Sequence, residues 1–287
     1  MINKSLLKMF LLDDDSIFAA RGVLGDVVGV KGIQASSGLN PRQAVDYLTP
    51  MPSSKLYSIE GSEIKLKTRL NNSADIEMGD TPVTQELFEA VMGFNTSEYK
   101  GFADSPQRPV ENLIWNDCIS FCNQLSLYFQ LNPYYSIEVL KSARDNSKSI
   151  KFAEVKILGG TGFRLPTTQE WELFAKAGTQ NIYSGTSDTD EIWRYGWYKD
   201  NSTDETHRVA QLLPNEWGMY DMAGNVSEWC WDEVKIPNDS SNFRMAKGGN
   251  FFSEADIMKI DNKLQIYRPN ESSEDRGFRV CRSCLKH

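Results

Sequence analysis

From Lys55 to Leu70 the chain comes close to strict alternation of polar and apolar residues, with Ile64 and Leu66 flanked by charges, the period-two pattern of half-buried strands. A globular domain is expected to open here. Three helical patterns follow. The first begins near Thr84, sets Leu87, Phe88, Val91 and Met92 on one face and ends at Gly93, since glycine accepts a left-handed cap. The second runs from Asn116 and places Cys118, Ile119, Cys122 and Leu125 at helical spacing. The third opens on Thr167-Thr168-Gln169-Glu170, a capping box whose threonine and glutamate each satisfy a free backbone N–H, and gives Trp171, Phe174 and Ala175 a buried face. Between the last two, Arg144 to Lys151 has the polar composition of a solvated loop or hairpin tip. Beyond Gly178 the pattern breaks into short segments divided by glycine, asparagine, proline and aspartate. With few regular ladders to pair its amides, such a region is expected to be held by its side chains or by ions.

Residues 1–55 have another texture, a short apolar segment, an acidic triplet and then a glycine- and valine-rich stretch. They read as an N-terminal appendage to a domain over residues 56–287. Asn40-Pro41 predicts a short helix through Leu48, because proline at the first helical position lacks only a hydrogen that would be unpaired anyway. The run Leu6 to Leu12 is interrupted by Lys8 and closed by Asp13, Asp14 and Asp15, too short and too acidic for a signal peptide or a membrane span. A cytoplasmic protein is the expectation, with a phage particle or surface display without a standard signal as the alternative.

Composition narrows the choices. In 287 residues, 40% hydrophobic and 24% charged positions describe a globular protein, and seven tryptophans, eleven tyrosines and fourteen phenylalanines point to a fold closed by aromatic packing rather than long helices. A net charge of −8 leaves no basic field to neutralise phosphates, which disfavours generic binding to nucleic acid or anionic lipid. Five cysteines, two of them four apart on a predicted helix, do not suit a disulfide framework and favour a reducing compartment.

The densest motif is Pro214-Asn-Glu-Trp217-Gly-Met-Tyr-Asp221-Met-Ala-Gly224-Asn-Val226-Ser-Glu228-Trp229. With Pro82-Val83-Thr84, Arg108-Pro109-Val110, Trp115-Asn116-Asp117, Gly162-Phe163-Arg164-Leu165-Pro166-Thr167, Lys247-Gly248-Gly249 and Arg276-Gly277-Phe278-Arg279-Val280, in that order along residues 76–280, it resembles the formylglycine-generating-enzyme, or sulfatase-modifying-factor, family. The resemblance implies an α+β, C-type-lectin-like fold with few helices and much irregular structure. Beside it, the residues suggest that Gly162 and Gly277 allow turns before Phe-Arg and that Arg164 and Arg279 bridge neighbouring loops. Trp171, Trp217 and Trp229 read as core with paired indole N–H groups.

A loop with two carboxylates around a glycine and free carbonyls can supply the six to eight oxygens that calcium prefers. The resemblance assigns a structural calcium ion to the Asp221 and Glu228 side chains and the Gly224 and Val226 carbonyls; carboxylates merely hydrogen-bonded to loop amides are the alternative. Asn201 and Ser202 resemble the start of a second such site that lacks its later ligands. The family's oxidases hold copper(I) between two cysteine thiolates, and those positions here carry Ser253 and Met258, which disfavours copper and formylglycine formation. Cys281, Cys284 and His287 form a weak chelating pattern, read against incidental thiols. His207, in a polar loop with no nucleophile beside it, reads as a surface histidine.

Two functions remain. In the first, a non-catalytic binding module presents loops at 232–243 and 250–276 to a protein or small ligand, with Asn250, Phe251, Phe252, Ser253, Asp256, Asn262, Tyr267, Arg268 and Asn270 as candidate contacts. Some relatives on this fold are the variable proteins of diversity-generating retroelements, and residues 1–55 would then attach the domain to a carrier. In the second, a metal-dependent oxidase recruits Cys281 and Cys284 instead.

Overall fold

The computed structural model describes residues 54–59, 62–69, 75–140, 150–237, 239 and 241–284. The expected helix at 40–48, the appendage ahead of residue 54, the tip at 141–149 and His287 lie outside them.

The alternating stretch forms a hairpin of β1 (Ser54–Ile59) and β2 (Ser62–Arg69), and β2 pairs in turn with β3 (Asp75–Gly79). All three helices form where the spacing put them. In α1 (Gln85–Met92) the Thr84 hydroxyl accepts the Leu87 N–H, and Gly93 closes the helix at φ 72°. Helix α2 spans Trp115–Tyr128 and buries Cys118, Ile119, Cys122 and Leu125. In α3 (Thr168–Lys176) the capping box is reciprocal: Thr167 Oγ1 accepts from Glu170 N, and Glu170 accepts from Thr167 N.

Of the two readings of the polar segment, the hairpin is the one formed. β4 (Tyr135–Val139) and β5 (Ala153–Ile157) pair antiparallel on either side of the polar segment, with Tyr135, Ile137 and Val155 turned to the core. The region after Gly178 is also more regular than its composition suggests. After β6 (Phe163–Arg164), strand β7 (Ser227–Val234) pairs antiparallel with β8 (Phe243–Lys247), with a bulge between Trp229 and Glu233. β9 (Ile266–Tyr267) extends that sheet beyond β8, and β10 (Arg276–Gly277) lies parallel to β7. Ser227 to Cys230 are all buried, so β7 shows none of the alternation that marks a half-exposed strand.

The last strand, β11 (Cys281–Cys284), inserts between β3 and β6 and completes a five-stranded sheet in the order β1-β2-β3-β11-β6. One core cluster gathers α1, α2, Phe163, Trp229, Phe278 and Val280; a second gathers α3, Trp217, Met219, Met222, Cys230 and Met245. Phe88, Phe121 and Phe278 form a three-ring cluster with centroids 5.2 to 6.4 Å apart. The glycines before Phe-Arg do a different job from the one expected. Neither makes a left-handed turn; a Cβ on Gly162 would lie 2.3 Å from the Asn132 carbonyl, and one on Gly277 2.5 Å from that of Val110, so both are close-approach positions.

Candidate functional site

The 214–229 segment winds around Asn215, whose side chain donates to the Phe174 and Ala175 carbonyls and accepts from the N–H groups of Trp217 and Met219. At its far end both Glu228 oxygens take Arg279 at 2.6 Å, and Oε2 also takes the Trp171 indole N–H at 2.6 Å. Arg279 donates further to the Gly79 and Tyr220 carbonyls. Asp221 accepts the Ala210 N–H at 2.8 Å and the Asn225 amide at 3.4 Å. Burial pushes its carboxyl up to about 6.

Calcium fits this donor set only in part. Asp221 is a buried carboxylate with weak compensation, as an oxygen ligand would be. Glu228 is saturated by a guanidinium and an indole, and ligating a cation requires it to release them. Arg164 bridges as expected, with both Glu170 oxygens at 2.7 Å and the Cys281 sulfur at 2.9 Å. His207 is not simply a surface side chain. Its ring stacks on Trp197 with centroids 3.9 Å apart, Nε2 meets the Ser202 carbonyl at 2.7 Å, and its backbone pairs with the Asn225 amide in both directions.

The two positions at which the family's oxidases carry thiolates are brought together. A Cβ on Gly249 would lie 2.8 Å from Met258 Cγ and 3.3 Å from Ser253 Oγ, so both side chains border the same glycine. Met258 is fully buried. The other candidate chelate is pulled apart: Cys281 and Cys284 are three residues apart on β11, and side chains at odd spacing on a strand point to opposite faces. Cys281 lies in the core, where burial pushes its thiol up, and Cys284 is partly exposed.

The nine candidate contacts do not converge. Asn250 is spent internally, its amide donating to Ser227 and Asp275 and its oxygen accepting from Phe252 N and Ser253 Oγ. Phe251 is fully buried, edge-on to Tyr99, and Ser253 is buried as well; Asn250, Phe251 and Ser253 are framework rather than surface. Phe252 is exposed, and Asp256 is exposed but paired with Lys259. The Asn262 carbonyl holds the buried Lys247 ammonium at 2.7 Å. Tyr267 is locked between Trp229 and the Arg276 guanidinium, 3.6 Å from its ring centroid.

Arg268 and Asn270 alone of the nine line a cleft of about 380 Å³. Its floor is Trp115, the first residue of α2, under Arg244 of β8; its apolar wall is Leu140 and Phe152, where β4 and β5 run toward their tip. The far wall stands because β9 pairs Tyr267 with Arg244 and because the Pro269 carbonyl accepts the Trp115 N–H at 2.9 Å. Trp115 and Arg244 escaped notice as site residues. Trp115 had a signal, since it belongs to a family motif; Arg244, an isolated arginine in a five-residue strand, had none.

Fold and inner framework together define a formylglycine-generating-enzyme-like α+β domain. A family model, the sulfatase-modifying factor enzyme 1-like domain, matches residues 60–284, and the chain belongs to this family. It is 36% identical over 231 residues to the chaperone protein LppX of Paenibacillus barcinonensis, covering 73% of this chain and 81% of that protein. The formylglycine-generating enzyme of Thermomonospora curvata is 24% identical over 214 residues, covering 61% of this chain and 56% of the enzyme. Among solved structures, Treponema denticola variable protein 1 superposes with a TM-score of 0.69 at 33% identity, covering 80% of this chain and 99% of that one. No helix among the described residues is long and apolar enough to cross a membrane.

Proposed function

We propose that this chain is a non-catalytic binding module, a formylglycine-generating-enzyme framework whose loops after β8 present a surface to a protein or small ligand. One observation carries the reading: the two positions where the resemblance puts the oxidases' copper(I) thiolates carry Ser253 and Met258, both bordering Gly249, and a hydroxyl with a thioether is unsuited to a linear bis-thiolate site. The likeness to a variable protein supports it and makes a retroelement-type display protein its most specific form. The contact surface narrows to the cleft at Arg268 and Asn270 with exposed Phe252 as a separate patch. Residues 1–55 are the proposed attachment to a carrier. A calcium ion at Asp221, Gly224 and Val226 belongs to the same reading as a stiffener, with Glu228 exchanging Arg279 for the ion.

The competing oxidase is disfavoured by the opposite orientations of Cys281 and Cys284 on β11. The test is direct. Purified protein given copper(I), oxygen and a cysteine-containing peptide is expected to bind no stoichiometric copper and to leave the thiol unchanged; turnover that disappears in Cys281→Ser would establish the oxidase.

A further inference from the structure

Arg244 is an arginine with an unspent edge. Its side chain is 13% exposed, its guanidinium lies 4.0 Å from the centroid of the Trp115 ring and 5.1 Å from that of Trp231, and Nη1 donates to the Trp231 carbonyl at 2.6 Å. Among the described residues Nε is excluded from solvent and has no hydrogen-bond partner, while the nearest carboxylate to Nη2 is Glu233 at 3.8 Å. Nε and one terminal nitrogen form a parallel pair of donors that matches the two oxygens of a carboxylate. Glu233, its cross-strand neighbour, stands too far away for a hydrogen bond. Burial lowers the proton affinity of Arg244, the mark of a guanidinium that lacks a full counter-charge.

The surroundings say what such an anion would carry with it. Lys151 and Arg268 add positive charge at the rim, with Arg268 held by Glu271 at 3.3 Å and Asp239 at 3.8 Å. Leu140 and Phe152, 47% and 46% exposed, face the same cleft beside Trp115 and offer an apolar wall. Donors on one side and apolar surface on the other are the usual arrangement by which a pocket of this size orients a ligand. In a chain of net charge −8 this local concentration of cations is not what overall composition dictates.

We propose that the cleft binds a carboxylate attached to an apolar group, held side-on by Nε and Nη2 of Arg244 once the guanidinium turns outward to meet it, with Arg268 at the mouth and the apolar part against Trp115 and Phe152. This rests on reading the chain as a binding module and names the chemical class of its ligand. A peptide C-terminus ending in a hydrophobic residue and a free aliphatic acid share this chemistry.

The test titrates the full chain with N-acetyl-leucyl-phenylalanine as the free acid, with its C-terminal amide, and with decanoate, reading calorimetry and the Nε–H resonance of Arg244. The free acid or decanoate is expected to move that resonance, with the amide at least tenfold weaker; the stronger of the two acids identifies the source. Arg244→Lys keeps the charge but removes the paired donors and is expected to weaken acid binding tenfold or more. Since Arg244 also packs on two tryptophans, Arg268→Glu at the exposed rim is the second variant, expected to cause a similar loss with an unchanged melting temperature. Equal affinity for acid and amide, no shift of the resonance with either acid at millimolar concentration, or undiminished binding in both variants overturns the proposal. Failure of the broader reading looks different, because oxidation of a thiol peptide sinks the binding module whatever the acids do.

Discussion

Arg279 and Glu228, 51 residues apart in sequence, meet through two contacts of 2.6 Å with both side chains wholly excluded from solvent. The pair ties the segment leading into β11 to the start of β7, and the Gly79 and Tyr220 carbonyls each take a further guanidinium N–H. Breaking one side strands a buried charge, which costs more than the pair contributes as a whole. Glu228→Gln is therefore expected to destabilise the fold by about 3–5 kcal/mol. Urea denaturation checks it, and a loss below about 1 kcal/mol would mean that the pair is wet in solution.

Glu111 provides a pH signature. It is fully buried and accepts the backbone N–H groups of Glu98 and Tyr99 at 3.0 Å each, yet burial outweighs them and pushes its carboxyl up to about 7. A folded pKa above the unfolded value means that the native state holds the proton more tightly. Its contribution is complete below the ordinary glutamate range near 4.5 and is lost as pH rises through about 7. The loss is about 3 kcal/mol between those limits. Asp80 and Asp221, both raised to about 6 by burial, titrate in the same direction, so the comparison that isolates Glu111 is with Glu111→Gln. That variant is expected to start less stable, having replaced one acceptor by an amide, and to show a flatter profile of urea midpoint between pH 4.5 and 8.

Ser253 and Met258 both border Gly249, which makes them candidates for conversion. The double substitution Ser253→Cys with Met258→Cys is expected to create a copper(I) site of one ion per chain, measured by competition with a chromogenic chelator, because two soft thiolates select that ion. Each single variant is expected to bind at least tenfold more weakly. Equal binding by the singles would show that the geometry over Gly249 does not bring the two positions to one ion.

Thiol labelling checks the placement of the cysteines. Cys118, Cys122, Cys230 and Cys281 are buried, and Cys284 alone is partly exposed. One fast-reacting thiol per native chain is expected with a disulfide reagent at pH 8, abolished by Cys284→Ser, with the other four appearing only on unfolding. A second fast thiol would place one of these four outside the core.

Calcium has its own measurement. If Glu228 exchanges Arg279 for the ion, millimolar calcium raises the melting temperature by several degrees in the parent chain and by none in Asp221→Asn, as binding to the native state requires. An unchanged melting temperature in both would leave Arg279 as the stiffener of this segment.

What the chain determined by itself is local or repeated. The Thr84 and Thr167 caps, the Gly93 stop and the spacing of Leu87, Phe88 and Val91 are properties of neighbours in sequence, and all are found in place. The ordered family motifs likewise carried the fold, because each encodes a contact that the framework needs. Tertiary structure decided everything that depends on residues far apart. The first half of β7, Ser227 to Cys230, is buried on both faces and shows no alternation, so the strand became legible only through its partners β8 and β10. Asn250 and Phe251 have the composition of a contact surface, yet Asp275 and Tyr99 take them inward. Arg244 acquired meaning only when β8, β9 and the start of α2 were set around it: a buried donor is unsatisfied relative to its surroundings, and those surroundings are written in no single stretch of the sequence.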